Sequence, residues 1–169
     1  MRFAICTSIY ETARPFFDDW ISSVILASFG HETQAVISLD GLYENDKGLR
    51  NLIDAMPVEF ITAPANASIA QVRSVMLNQA IQADADILVF CDVDDYLDKN
   101  ALSLHATALE KADFSYGDMQ PISHDGSNLG PTFFDGSAIP ISINRTESII
   151  DRNWLGFSNT AVWRPRLPK

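Results

Sequence analysis

Three aspartates follow the most continuous apolar segment of the chain. The segment Ile87–Leu97 reads ILVFCDVDDYL, so that Asp92, Asp94 and Asp95 come directly after an apolar run. Carboxylates this close repel one another unless water or a cation compensates their charge, and hard divalent cations prefer oxygen ligands. The cluster therefore predicts a metal site. The alternative is a solvated acidic turn in which Asp95 or Asp98 caps the following helix.

The elements that must position these acids alternate between strand and helix. The apolar, strand-like runs are Arg2–Ile9, Gln34–Leu39, Val58–Thr62 and Ile87–Cys91. Apolar residues at helical spacing follow each of the first three runs, and Pro15 and Ser68 stand where helices would begin. This pattern predicts an α/β fold, a three-layer α/β/α sandwich with a mainly parallel central sheet.

Ligands of such sheets bind beyond the carboxyl ends of the strands. In this sequence those ends are Tyr10, Asp40, Ala63 and Asp92. We therefore expect Tyr10, Asp40 and Asp92 to lie along one edge of the sheet.

The second part of the chain has a weaker pattern. The sequence predicts a helix from Asp98 or Asn100 through Lys111 and a strand across Phe114–Met119. A hairpin or long loop is expected from the turn signal His124–Asp125–Gly126 through the aperiodic segment Gly130–Pro140. A short helix across Thr146–Asn153 and a strand across Phe157–Trp163 are expected to close the fold. Because no linker or repeat divides the sequence, residues 1–169 are predicted to form one domain.

Composition and charge narrow the possible partners. The 169 residues are 47% hydrophobic and 20% charged, which is typical of a globular domain. Twelve basic and 22 acidic residues give a net charge of −10, which disfavours a nucleic acid polymer as a partner. A single nucleotide stays compatible with this charge, because one bound cation reverses the local sign of an acidic site.

The apolar runs also bear on localisation and on the cysteines. None is long enough to cross a bilayer, and Met1 leads into a strand pattern without a signal-peptide core, so we expect a cytoplasmic protein without a transmembrane segment. Cys6 and Cys91 both lie within strand-like runs. They are predicted to be buried and free.

Several segments carry a family resemblance. They are AICTSIYE (Ala4–Glu11), ISSVILAS (Ile21–Ser28), VISLDG (Val36–Gly41), DADILVFCDVDDYL (Asp84–Leu97) and, more weakly, FSYGD (Phe114–Asp118) and GFSNTAVWRPRL (Gly156–Leu167). With them the chain resembles the family 2 type of glycosyltransferases with the GT-A fold, whose fourth strand ends in a DXD or DXDD motif. The resemblance implies a nucleotide-binding half at 1–120 and a shortened acceptor-side half at 121–169. It also implies that the first and fourth strands are neighbours, which would bring Cys6 and Cys91 close together.

The same resemblance assigns roles to individual residues. It implies nucleotide binding by Ser8, Tyr10, Glu11, Asp40, Arg73 and Asp92, and coordination of Mn²⁺ or Mg²⁺ by Asp92 and Asp94. Tyr10 would stack on the base, with simple packing as the alternative. Asp40 would accept from the imino N–H of uracil, or else cap the turn at Gly41. Arg73 would offer its planar fork to a phosphate or to an aspartate.

The activity implied is transfer of a sugar from a nucleotide-sugar donor, a UDP-sugar in our interpretation, to an acceptor hydroxyl with inversion. The acceptor, whether a glycan, a lipid or a protein, has no signature in the sequence. Inversion needs a carboxylate general base. The resemblance places that base after the strand Val162–Arg166, beyond Lys169, which leaves Asp118, Asp135 and Asp151 as candidates within the chain.

The end of the chain is expected to serve the sugar and acceptor side. Trp154 would pack against the donor sugar and Asn159 would bind its hydroxyls, while burial of Trp154 in the core is the alternative.

Two other functions fit parts of the pattern. A non-catalytic nucleotide-sugar-binding module would keep the donor half and lack the base. A haloacid-dehalogenase-type phosphatase would use Asp92 as nucleophile and Asp94 as general acid, but its motif normally follows the first strand and is followed by a threonine.

Overall fold

In a computed structural model of the chain, the described residues are 1–40, 47–63, 66–123, 125–132 and 160–163. The strands are β1 (Arg2–Tyr10), β2 (Glu32–Asp40), β3 (Val58–Ile61), β4 (Ile87–Phe90), β5 (Phe114–Tyr116) and β6 (Thr160–Trp163). The helices are α1 (Phe17–Ala27), α2 (Lys47–Ala55), α3 (Ile69–Gln82) and α4 (Ala101–Leu109), and a 3₁₀ helix, Glu11–Phe16, joins β1 to α1.

The six strands form one mixed sheet in the order β3-β2-β1-β4-β6-β5. The first four strands are parallel, and β6 runs antiparallel to both β4 and β5. β1 and β4 are direct neighbours, with Phe3 opposite Ile87 and Cys6 opposite Phe90. The predicted mainly parallel sheet is confirmed.

Alternating residues of β1 build a core on each face of the sheet. Phe3, Ile5 and Ile9 pack in the cluster that also holds the buried faces of α1, α2 and α4. Ala4 and Cys6 pack on the other face, in the cluster that contains buried residues of α3. Because strand side chains alternate in direction, one strand serves both layers. The result is the predicted three-layer α/β/α arrangement.

The two cysteines illustrate this alternation. The amide N–H of Cys91 donates to the carbonyl oxygen of Cys6 over 3.2 Å, so the two backbones are adjacent. Their side chains belong to the clusters on opposite faces of the sheet, and both thiols are free and buried. The prediction of neighbouring free thiols is confirmed, and the opposite orientation explains why adjacency does not lead to a disulfide.

Some element bounds differ from the sequence prediction. Pro15 lies inside the 3₁₀ helix rather than in the first turn of α1, because the chain makes a tighter turn before the α-helix begins at Phe17. α4 ends at Leu109, and β5 is limited to Phe114–Tyr116. Beyond β5, an isolated bridge between Ile122 and Asn128 forms the expected hairpin.

The expected helix Thr146–Asn153 lies outside the described residues. Of the expected strand Phe157–Trp163, the described part is β6. Within the described part of the chain, no helix is both long and apolar enough to cross a membrane.

Candidate functional site

The carboxyl ends of three neighbouring strands meet at one edge of the sheet. Tyr10, the last residue of β1, is in register with Asp40, the last residue of β2. Asp92 follows two residues after the end of β4, which pairs with the other side of β1. The backbone therefore places Tyr10, Asp40 and Asp92 at the shared edge that the sequence predicted.

A cleft of about 640 Å³ opens at this edge, between the strand ends and α3, and we call it the first cleft. Five of the residues assigned to nucleotide or metal binding line it: Ser8, Tyr10, Arg73, Asp92 and Asp94. Glu11, which was assigned to the same site, is exposed at the start of the 3₁₀ helix and is not part of its lining. The site residues thus converge, with Glu11 as the exception among those whose side chains are described.

β1 contributes Ser8 and Tyr10, which lie two positions apart and so share a face of the strand. The hydroxyl of Ser8 lies 4.0 Å from the sulfur of Met76 on α3. Tyr10 is 36% exposed. Partial burial raises the pKa of the Tyr10 phenol, and the negative charges of Asp94, Asp92 and Asp95 raise it further. The tyrosine is therefore a neutral, partly exposed ring beside Asp92, Asp94 and Asp95, and an aromatic face of this kind can stack on a base.

α3 carries Arg73 to the first cleft, and a capping box fixes where the helix begins. The Ser68 hydroxyl accepts from the Gln71 amide, while the Gln71 side chain accepts from the Ser68 amide over 2.8 Å. One turn further on, Nη2 of Arg73 lies 3.3 Å from each carboxylate oxygen of Asp92. This ion pair joins α3 to the acidic segment.

The charges of the first cleft are unbalanced. Among its described lining residues, Arg73 carries a positive charge and Asp92 and Asp94 carry negative ones. Asp92 faces Arg73, whereas Asp94 is exposed. An entering diphosphate would add further negative charge, so the cleft favours a ligand that brings a cation with it.

The donor set is consistent with a hard cation. Asp92 and Asp94 offer carboxylate oxygens, which Mg²⁺ and Mn²⁺ prefer. Among the described residues, no group of three or more His, Cys, Asp or Glu side chains is placed to hold a metal by itself. Mg²⁺ is commonly bound through one or two carboxylates plus substrate phosphates, so this sparse set fits a cation that arrives with a phosphate ligand.

Hydrogen bonds hold the segment Asp92–Leu97, which we call the acidic turn, against α1. The amide of Asp95 donates to the carbonyl of Asp92 over 3.0 Å and closes the turn. The amide of Leu97 donates to the Ser23 hydroxyl over 3.2 Å, and the Tyr96 hydroxyl donates to Asp19 over 3.2 Å. Two contacts from α1 therefore support the turn that carries Asp94.

The alternative in which Asp95 or Asp98 caps the following helix is not confirmed, because the N-cap residue of α4 is Asn100, without a side-chain cap hydrogen bond. A carboxylate oxygen of Asp98 accepts from the Asn100 amide over 2.8 Å just before α4 begins. Asp98 thus has a local structural task, and it does not line the first cleft.

A second cleft, of about 540 Å³, also borders the acidic turn. Its lining includes Asp94, Asp95, Asp118 and the hairpin residue Ile122. Asp94 lines both clefts, so it stands between them. Asp118 is exposed, and one of its carboxylate oxygens accepts from the Met119 amide over 2.8 Å. The other sequence candidates for catalysis and sugar binding, Asp135, Asp151, Trp154 and Asn159, lie outside the described residues.

Sequence reasoning missed several residues of the first cleft, including Ser38, Leu39, Asn66 and Ile69. Ser38 is 2% exposed and lies opposite Ser8 in the β1–β2 register. A signal for Ser38 was present, because it precedes Asp40 by two positions and so shares its face of the strand. For Asn66 and Ile69 the sequence has no comparable pattern, since a loop and the first turn of α3 bring them to the cleft.

The fold and site together define a class of protein: an α/β chain with a GT-A-like fold whose acidic motif follows the central strand β4. The solved structures to which it is similar include those of S. aureus TarS. For TarS 1-349 in complex with UDP the TM-score is 0.67 at 17% identity, covering 96% of this chain and 47% of that one. For the complex with UDP-GlcNAc the TM-score is 0.61 at 17% identity, covering 96% and 45%.

TarS 1-349 without a named ligand gives a TM-score of 0.61 at 17% identity, covering 80% of this chain and 40% of that one. The chain therefore spans less than half the length of these TarS chains. No family model and no curated protein matches this sequence. At this identity the likeness shows the fold.

Proposed function

We propose that this chain is a glycosyltransferase of the family 2 type that takes its sugar from a UDP-sugar donor in the first cleft and depends on Mn²⁺ or Mg²⁺. The observation that carries the proposal is the convergence of Ser8, Tyr10, Arg73, Asp92 and Asp94 on one cleft at the carboxyl ends of parallel strands. Ligands of open α/β sheets bind at this position. The likeness to TarS supports the choice of nucleotide, because TarS is recorded in complexes with UDP and with UDP-GlcNAc.

Each residue has a task in this proposal. Tyr10 presents its ring to the base, and Asp40, at the adjacent strand end, reads the imino N–H of uracil. Arg73 supplies the positive charge among the described lining residues of the first cleft, and Asp92 takes the ribose and part of the cation shell. Asp94 is the principal carboxylate for Mn²⁺ or Mg²⁺. Such a cation, when bound, supplies Lewis acidity that stabilises the departing nucleoside diphosphate.

The second cleft is the proposed acceptor side. Asp94 lines both clefts, so an acceptor bound in the second cleft would lie beside the donor's diphosphate. Asp118 lines the second cleft and is the candidate general base within the described residues; it would remove the proton of the attacking hydroxyl. Attack from the side opposite the leaving group inverts the anomeric centre. Trp154 and Asn159 are proposed to complete the sugar and acceptor side.

Calorimetry with UDP, with and without Mn²⁺, followed by assays of donor hydrolysis and sugar transfer, tests the proposal. We expect UDP to bind in Mn²⁺ and a UDP-sugar to be turned over. Binding without any turnover would indicate the nucleotide-sugar-binding module instead. Release of phosphate from a phosphomonoester without UDP binding would indicate the phosphatase.

The variant Asp94→Asn tests the cation's role within that assay. Loss of a carboxylate ligand should lower the UDP affinity measured in Mn²⁺ by about tenfold or more, which removes most of the gain that Mn²⁺ gives. The UDP affinity measured without Mn²⁺ should change little. Asp54→Asn, at an exposed position of α2, makes the same chemical change away from both clefts and is the control. Equal Mn²⁺ dependence in the two variants would refute a cation role for Asp94.

A further inference from the structure

The acidic turn has to hold Asp94 in place without help from regular structure. Strand β4 ends at Phe90 and α4 begins at Ala101, so the residues between them belong to neither element. Within the turn, the Asp95 amide donates to the Asp92 carbonyl, and the thiol of the adjoining Cys91 lies 3.7 Å and 3.9 Å from the carbonyl oxygens of Asp92 and Asp95. These three contacts do not include Leu97, at the far end of the turn. The placement of that end therefore depends on contacts with neighbouring elements.

Ser23 of α1 makes the contact that fixes the far end of the turn. Its hydroxyl donates to the Trp20 carbonyl over 2.8 Å and accepts the Leu97 amide over 3.2 Å. Because the hydroxyl proton points to the Trp20 carbonyl, the hydroxyl oxygen is oriented to accept a hydrogen bond from the Leu97 amide. Trp20 is fully buried and Leu97 is 4% exposed, so both ends of this connection lie in the core.

We propose that Ser23 is a positioning residue for the nucleotide-bound cation: it anchors the acidic turn so that Asp94 keeps its place between the two clefts. The inference rests on the proposed function and names a residue that lines neither cleft. Without the hydroxyl, the Leu97 amide loses its acceptor and the turn gains freedom at the end that follows Asp94. The consequence appears where Asp94 acts, in the part of UDP affinity that depends on Mn²⁺.

The neighbouring Ser22 provides a matched control. Its exposed hydroxyl donates to the Asp18 carbonyl over 2.7 Å, within α1. Ser22→Ala and Ser23→Ala therefore make the same chemical change in one helix and each removes a bond to that helix's backbone. Ser23→Ala also removes the bond to Leu97. Ser23→Thr keeps a hydroxyl that can bond the helix carbonyl and is the rescue variant.

Two measurements on these variants test the proposal: UDP affinity by calorimetry with and without Mn²⁺, and the exchange rate of the Leu97 amide by NMR. In Ser23→Ala we expect faster exchange and a loss of about threefold to tenfold in UDP affinity in Mn²⁺, the size expected for one hydrogen bond. Affinity without Mn²⁺ should change little. Ser22→Ala and Ser23→Thr should behave like the unchanged protein.

Other outcomes overturn the proposal in distinguishable ways. Faster exchange at Leu97 with unchanged UDP affinity in Mn²⁺ would make Ser23 a purely structural residue. Equal losses of UDP affinity in Ser22→Ala and Ser23→Ala would mean that the effect comes from α1 as a whole and not from the bond to Leu97. Failure of the unchanged protein to bind UDP would refute the proposed function itself. If Ser23→Ala did not fold, Ser23→Cys, with a weaker acceptor of similar size, would replace it.

Discussion

The ion pair between Arg73 and Asp92 contributes differently to stability and to ligand binding. Its guanidinium nitrogen lies 3.3 Å from both carboxylate oxygens, and the two side chains are 26% and 41% exposed. Partly exposed pairs of this kind are worth about 0.2–1 kcal/mol, because water screens the charges and ordering the side chains costs entropy. Arg73→Gln should therefore lower the free energy of unfolding by less than about 1 kcal/mol. The melting temperature should fall by no more than about 4 °C.

The effect of the same change on nucleotide binding should be larger. Arg73 is the basic residue among the described lining of the first cleft, which also includes the carboxylates of Asp92 and Asp94. A hydrogen bond to a charged group is worth about 1.5–3 kcal/mol, which corresponds to a loss of about tenfold to 150-fold in UDP affinity. Uridine carries no phosphate, so its affinity should change by less than about threefold if Arg73 acts on the diphosphate.

Calorimetric titration with UDP and with uridine in Mn²⁺, together with urea unfolding, measures these quantities. Arg50→Gln is the control, because Arg50 is exposed on α2, on the face of the sheet opposite α3, and its loss changes the net charge equally. Equal losses for UDP and uridine would place Arg73 at the base rather than at the phosphates. A change in UDP affinity that matches Arg50→Gln would refute a direct role for Arg73.

Three further predictions concern other parts of the molecule. Asp118→Asn should reduce sugar transfer and donor hydrolysis by about a hundredfold or more while UDP affinity stays the same, as expected for a general base; a parallel loss of UDP affinity in calorimetry would contradict this. Burial raises the pKa of the Cys6 thiol to about 12. Thiol-reactive dyes should therefore label Cys6 only after unfolding. The Ser123 hydroxyl and other hydrogen bonds of the hairpin turn lower the pKa of Asp125 to about 2. A lowered carboxyl pKa stabilises the folded hairpin above about pH 4, and the contribution is lost as the pH falls through about 2. An NMR titration of the Asp125 carboxyl with a midpoint near the ordinary value of 3.8 would contradict the turn geometry.

The parallel part of the fold could be predicted from the sequence because a strand-like apolar run gives way to apolar residues at helical spacing wherever a strand is followed by a helix. Ile87–Phe90 is buried throughout, as a continuous apolar run in a parallel strand should be, and α1 buries residues at helical spacing. The sequence also predicted strands at the places of β5 and β6, but not the short span of β5 or the antiparallel direction of β6, since three or four residues carry little periodicity. Pro15 was misjudged because proline fits a 3₁₀ turn as well as the first turn of an α-helix.

Site residues that directly follow strands could be predicted from the sequence. Site residues that are brought together only by the packing of distant elements could not. Tyr10 and Asp92 come directly after apolar runs, so their shared edge follows from parallel topology. Glu11 also follows β1, yet the chain turns into a 3₁₀ helix there and leaves the first cleft. The contact between Ser23 and Leu97 joins residues 74 positions apart. No local pattern marks such a pair, because it depends on how α1 lies against the acidic turn.

The placement of three charged residues allows donor binding and removal of the acceptor proton, the two parts of the proposed reaction, to be tested separately. Arg73 lines only the first cleft, Asp118 lines only the second, and Asp94 lines both. Under the proposal, loss of Arg73 should raise the KM for the donor, and loss of Asp118 should lower kcat with the donor KM unchanged. Loss of Asp94 should do both, because one carboxylate serves the cation beside donor and acceptor alike. If the Arg73 and Asp118 variants instead changed the same kinetic constant, the two clefts would not divide the donor from the acceptor.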